Sequence, residues 1–171
     1  HTAEAWYNGD WQFRKEITID NTQVSGSSNL TNFPMLFSVT DADLADTSNG
    51  GNVEQSDGGD IVFVASDDST KLDHEIESYD NTTGELVAWV EIPTLSYNAD
   101  TTIYIYYGND SGVADQENPT GVWGADYEAV FHMNSDPAHT SSEPDRTGNG
   151  NDATWYDSSG DSNTNATGKI G

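Results

Sequence analysis

The sequence predicts an all-β protein folded as an antiparallel β-sandwich. Apolar residues recur with a period of two, and no stretch carries a convincing helical period. Clusters of Gly, Asn, Asp, Ser and Thr punctuate the chain between those stretches. Hydrophobic residues are only 33% of the 171 residues, yet aromatics reach 11%. Disordered chains are poor in aromatics. The composition therefore fits a thin core of the kind found between two sheets.

The elements follow in order. Trp11, Phe13, Lys15, Ile17 and Ile19 alternate with Gln12, Arg14, Glu16 and Thr18, as in a half-buried strand. Asp20-Asn21 turns the chain, and Gly26 to Asn29 is a loop. Phe33, Met35, Phe37 and Val39 alternate in a second strand, where Pro34 indicates an edge or a strand start. Asp41 to Gly59 reads as a long acidic loop. Ile61 to Ala65 is short, apolar and hence buried. Leu72, His74 and Ile76 alternate with Asp73, Glu75 and Glu77; Asp80 to Gly84 turns, and Leu86 to Ile92 returns, which is the clearest hairpin. Thr101 to Tyr107 is β-branched and aromatic on both faces, as in a central strand. Val130 to Asn134 offers one further strand. Residues 135–171 are nearly all Gly, Asn, Asp, Ser and Thr, with Trp155 and Tyr156 as the main large anchors, so this tail cannot build its own core. The domain division expected is 1–120 and 121–171.

Asp and Glu number 30 against 5 Lys and Arg, for a net charge of −25. Such a chain has no electrostatic footprint for nucleic acid and no basic patch for an anionic membrane. No run approaches the roughly 20 apolar residues of a membrane-spanning helix, so direct membrane insertion is not expected. Self-repulsion of this size needs screening by salt or cations. Asp is favoured over Glu and Lys is almost absent, which suits a halophilic setting. There is no cysteine, which excludes disulfides and thiolate chemistry. The chain starts at His1, as in a mature chain whose signal peptide has been removed. The localisation expected is secreted or at the cell surface.

Several phrases carry a resemblance. They are Trp11-Gln-Phe-Arg-Lys-Glu-Ile-Thr-Ile, Asn32-Phe-Pro-Met-Leu, Gly59-Asp-Ile-Val-Phe, Lys71-Leu-Asp-His-Glu-Ile-Glu-Ser-Tyr, Leu86-Val-Ala-Trp-Val and Thr102-Ile-Tyr-Ile-Tyr-Tyr-Gly-Asn. In order and spacing, residues 6–125 resemble the domain of unknown function numbered 2341. That family occurs in large secreted and surface proteins of bacteria and archaea, often just before a concanavalin-like, laminin-G-type jelly roll. Val130-Phe-His-Met-Asn, Asp145-Arg-Thr-Gly-Asn-Gly-Asn-Asp-Ala and Gly168-Lys-Ile-Gly resemble the opening strands of such a jelly roll, over residues 128–171. The resemblance implies a C-terminal extended, incomplete jelly-roll segment. Either that segment continues in a longer protein, or it is donated to another subunit by strand addition. Head-to-tail donation builds a filament.

Catalytic motifs are lacking: there is no GxSxG elbow, HExxH pair, P-loop or dinucleotide fingerprint. His74 sits between Leu72 and Ile76 and reads as a packed strand residue rather than a base. With 30 acids, a carboxylate pair at glycosidase spacing is expected by chance and carries no information. No cofactor is required. Calcium is the metal to consider, through Asp41, Asp43 and Asp46 with Asn49, and Asp57 with Asp60, all in the acidic loop. A merely solvated loop is the simpler reading. Trp89, Tyr104, Tyr106 and Trp123 are candidates for stacking on sugar faces, against the alternative that they are core. Sequons mark Asn29, Asn81, Asn109 and Asn165 for glycosylation. The expected function is that of a non-enzymatic extracellular structural or adhesive protein. Its partners would be copies of itself, in a filament, or surface glycans. The alternative is a carbohydrate-binding module of a larger adhesin or polysaccharide-degrading enzyme.

Overall fold

The computed structural model describes residue 7 and residues 9–109, 112–134 and 142–154. The chain divides into two compact units, His1–Val122 and Trp123–Gly171.

The first unit is an antiparallel sandwich. Its strands are β1 (Phe13–Ile19), β2 (Leu30–Thr40), β3 (Val62–Ala65), β4 (Lys71–Leu72), β5 (His74–Asp80), β6 (Glu85–Leu95) and β7 (Thr101–Tyr107). One sheet has the order β1-β7-β3-β4 and the other β2-β6-β5. The alternation read from the sequence decides which side chains enter the space between them. Leu86, Ala88, Val90 and Ile92 of β6 meet Phe63, Ile103, Ile105 and Tyr107 of the facing sheet. Phe37 and Phe63 bridge the layers edge to face at 5.5 Å. β7 is interior, as its two apolar faces require: Ile103 and Ile105 face the core, while Tyr106 lies in a second cluster with Trp11, Val62 and Val64. Trp11 thus leaves the face expected of it. It precedes β1 and packs on the outer side of the sheet.

The β5–β6 hairpin closes on Asn81 to Gly84, with Asp80 opposite Glu85. Gly84 has φ +71°, and a Cβ there would lie 2.0 Å from the Asp41 carbonyl oxygen, so only glycine fits. The run from Leu72 to Ile76 is not one strand. It breaks at Asp73 and passes from one sheet to the other. Glu75, expected to face solvent, is fully buried. A register shift between Ile76 and Ser78 interrupts the alternation beyond it. The acidic segment from Asp41 to Gly59 is also no simple solvated loop. It folds into short 3-10 turns at Ala42–Leu44 and Thr47–Asn49, and buries Leu44, Ala45 and Val53.

The short helix α1 (Pro119–Val122) ends the first unit. In the second unit, β8 (Ser142–Glu143) pairs with β9 (Ala153–Thr154). Val130 to Asn134 forms no strand. The Val130 N–H donates to the Asp145 carboxylate, the Val130 carbonyl accepts from Arg146, and Met133 has φ +56°. Asp145 also accepts from the Thr147 and Asn151 N–H groups, which hold its carboxyl down at about 2 against the opposing effect of burial. Gly168-Lys-Ile-Gly, Trp155 and Tyr156 lie outside the described residues.

His74 is fully buried, edge to face with Phe63 at 5.3 Å, and among the described residues neither ring nitrogen meets a partner in good hydrogen-bond geometry, the Leu72 backbone being the group that favours its charged form. Burial disfavours the charged ring, with help from Lys71, and lowers its pKa from 6.5 to about 4. The folded protein therefore holds His74 neutral, while the unfolded chain takes up a proton below pH 6.5. Stability from this group is complete above pH 6.5 and is lost as pH falls towards 4, by about 3 kcal/mol in total. Urea unfolding stepped through that window should show the loss, and His74→Met should flatten it. Equal slopes in the two proteins would show that His74 is not held neutral.

Candidate functional site

The five acidic-loop candidates are brought into one region but not into one cage. Among the described residues, no three His, Cys, Asp or Glu side chains cluster to hold a metal ion. Each carboxylate has its own local task. Asp41 and Asp43 both bind the Lys15 ammonium, the latter at 2.7 Å. Lys15 is partly buried, which opposes its charge, yet these hydrogen bonds raise its pKa. They depress that of Asp41 in turn. Asp46 accepts from the Ser48 hydroxyl, from Asn49 and from the Asn81 amide, and its pKa is lowered, chiefly by Ser48. Asp57 caps the Gly59 N–H at 3.1 Å.

Asp60 is the exception in depth. It is 0% exposed, and four backbone N–H groups point at its carboxylate. Gln55 donates to Oδ1; Glu54, Gly108 and Asn109 donate to Oδ2, all at 3.0–3.2 Å. Its own carbonyl accepts from Trp11 Nε1 at 3.0 Å. A buried carboxylate is tolerable only when its lone pairs are filled in this way. Asp60 is therefore a fastening for three segments.

The aromatic candidates do not form one platform. Tyr106 is buried, and its hydroxyl donates to Asp68, which also holds Arg14. Burial, then Asp68, raises the Tyr106 pKa. Trp123 is buried at 5% exposure and belongs to the second unit. Tyr104 is half-buried under the Arg14 guanidinium, 4.7 Å from its ring centre. Trp89 is half-buried on β6 of the other sheet, and its Nε1 donates to Glu77 at 2.7 Å. Of the stacking candidates, Tyr106 and Trp123 are thus buried by packing, while Trp89 and Tyr104 keep part of their surface open. The sequons differ as well. Asn29 is exposed, Asn109 is buried at 6% exposure, and the Asn81 side-chain amide is engaged by Asp46. Asn165 lies outside the described residues.

The feature that the site candidates leave out is a sheet edge, one of the two readings that Pro34 allows. β2 pairs with β6 on one side, and among the described residues no strand pairs with its other side. No charged side chain occurs between Asp20 and Asp41, in a chain of net charge −25. That neutral run is a second signal of the edge. The opposite edge is treated differently. A strap formed by residues 113–118 lies along β5: Glu117 accepts the Ile76 N–H at 2.7 Å, Asn118 donates to the His74 carbonyl, and Lys71 donates to Gln116. Edge strands protected in this way do not invite pairing. Behind β1 and β2, the inward-facing Ile17, Ile19, Leu30, Met35, Phe37 and Val39 are only partly buried.

A family model described as "Domain of unknown function (DUF2341)" matches residues 57–155, which runs from the acidic loop through β9. No curated protein and no solved structure matches the chain.

Asp60→Asn should lower unfolding free energy by about 2–4 kcal/mol, because an NH2 group would then face backbone donors. Denaturant midpoints at neutral pH test this, with Asp57→Asn as the mild control. Equal midpoints for the two variants would remove Asp60 from its structural role.

Proposed function

The chain belongs to the family of the domain of unknown function numbered 2341, and from that premise we propose that it is a non-enzymatic structural or adhesive module of an extracellular, cell-surface protein. Neighbouring modules are joined by β-strand pairing. The observation that carries this is the eleven-residue strand β2, left open on one side among the described residues while the β5 edge is strapped. The partly buried apolar side chains behind β1 and β2 support it, since a neighbour's strand would complete their burial. The surface charge keeps such modules apart in dilute solution and lets them meet only when salt screens it. Negative-stain electron microscopy of the full chain in about 1 M salt, where the Debye length is about 3 Å, should show particles of two or more modules. Particles of single-chain size alone, at every salt and protein concentration, would sink the proposal.

A second reading, glycan binding, has one observation in its favour. Trp89 lies half-exposed on the outer face of its sheet, with its ring fixed by Glu77. Held aromatic faces of this kind stack on apolar surfaces. Retention on an immobilised glycan panel should then be lost in Trp89→Ala and kept in Tyr104→Ala, because the two lie on different sheets. No retention of the unaltered chain on any glycan would remove this reading.

A further inference from the structure

We propose that β2 pairs with β2 of a second copy of this chain, antiparallel about a twofold axis, so that two three-stranded sheets become one continuous sheet. This rests on the assembly reading above and names its surface and partner.

The backbone fixes which groups are available. Asp41 donates its N–H to the Gly84 carbonyl at 3.1 Å, on the β6 side of the strand. Backbone groups alternate sides along a strand. The odd-numbered positions Met35, Phe37 and Val39 therefore bond towards β6. Leu36, Ser38 and Thr40 direct their N–H and C=O groups outward. Pro34 agrees, since a proline without an N–H is tolerated at an edge on the outward side. It removes one outward donor and leaves its carbonyl.

An antiparallel pairing centred on Phe37 uses all of these. Leu36 faces Ser38 of the second copy, and Thr40 faces its Pro34. Phe37 then lies beside Phe37 of the second copy, and Met35 beside its Val39. These are apolar neighbours on the core side of the sheet, where cross-strand pairs stabilise most. The ring of Phe33, 39% exposed, sits at the end of this seam.

Charge selects the partner. β2 carries no acid within its length, although Asp41 follows it directly, whereas the other described edges are more acidic or shorter. β1 holds Glu16, β4 is followed by Asp73, and β5 holds Glu75, Glu77 and Asp80 under a strap bearing Glu117. The tail that might be donated carries Glu143, Asp145, Asp152, Asp157 and Asp161 and lacks strand alternation. Placing any of these on β2 would bring carboxylates to the seam and desolvate them, which is costly. Between Pro34 and Thr40 two copies of β2 meet without a carboxylate, and the first acid in register is Asp41, opposite Phe33 at each end of the seam. A twofold contact also closes on itself, so a filament built from such pairs needs a second, different contact.

The test is light scattering with size exclusion on the full chain, from about 0.1 to 1 M NaCl, where the Debye length falls from about 10 to 3 Å. The mass is expected to rise with salt from 18.5 kDa to twice that value. Ser38→Pro removes a central outward donor while leaving the β6 ladder intact, and should keep the mass at 18.5 kDa with an unchanged melting temperature. Ser38→Glu, at an exposed position, should do the same by charge if the proline variant folds poorly. A chain that stays monomeric in high salt overturns the twofold pairing. Assemblies that persist in both folded variants also overturn it, while leaving the assembly reading standing on another surface.

Discussion

The carboxylate of Asp60 is the constraint on which the rest of the first sandwich depends. It lies at the end of the acidic loop, just before β3, and collects backbone donors from residues 54, 55, 108 and 109. Those donors belong to the loop itself and to the exit of β7. The Asp60 carbonyl, bound to the Trp11 indole, adds the approach to β1. Three parts of the chain that are distant in sequence thus converge on one residue. The cost of burying a charge is offset only while all of them are in place, so their positions are coupled. β3 begins and β7 ends at this corner, with Val62 opposite Tyr106.

The excess of Asp over Glu acquires a second meaning in this light. Asp20, Asp41, Asp46, Asp57, Asp67, Asp80, Asp115 and Asp145 each accept an N–H from two or three residues further on. An Asp side chain is short enough to reach its own turn, and such Asx turns let a polar loop satisfy its backbone. The bias that reads from composition as adaptation to salt is in part turn chemistry. It also explains why the acidic loop gathers no cage among the described residues. The oxygens that would surround a cation are already spent on N–H groups, hydroxyls and Lys15.

Much of the fold was legible before any coordinates. Period-two runs located β1, β2 and the β5–β6 hairpin, because side-chain alternation is imposed by the strand itself, while an unbroken apolar run located β3 and β-branched and aromatic residues on both faces located β7. Pro34 allowed an edge or a strand start, and it lies inside an edge strand. What was not legible depended on distant residues. Nothing local announces that Asp73 changes sheets, that Glu75 is covered, or that Tyr106 meets Asp68. Candidates chosen by residue type fared less well for the same reason. Aromatic and acidic side chains are useful both to a site and to a core, and only their neighbours decide between the two. The open edge needed no chemistry-bearing residue at all. Its mark was a long interval without charge, a signal carried by what the run leaves out.

The passage at Asp73 has a geometric consequence for the whole sandwich. Leu72 belongs to one sheet and His74 to the other, with a single residue between them. Two residues of extended chain span at most about 7 Å, whereas facing sheets ordinarily stand about 10 Å apart. The layers are therefore pinched together along the β4–β5 side, as pages are at a spine. On the opposite margin, where β1 and β2 run, no such link exists in the strand order, and the Lys15–Asp41 ion pair joins the two sheets there instead. One flank of the sandwich is thus closed by the backbone and the other by side chains.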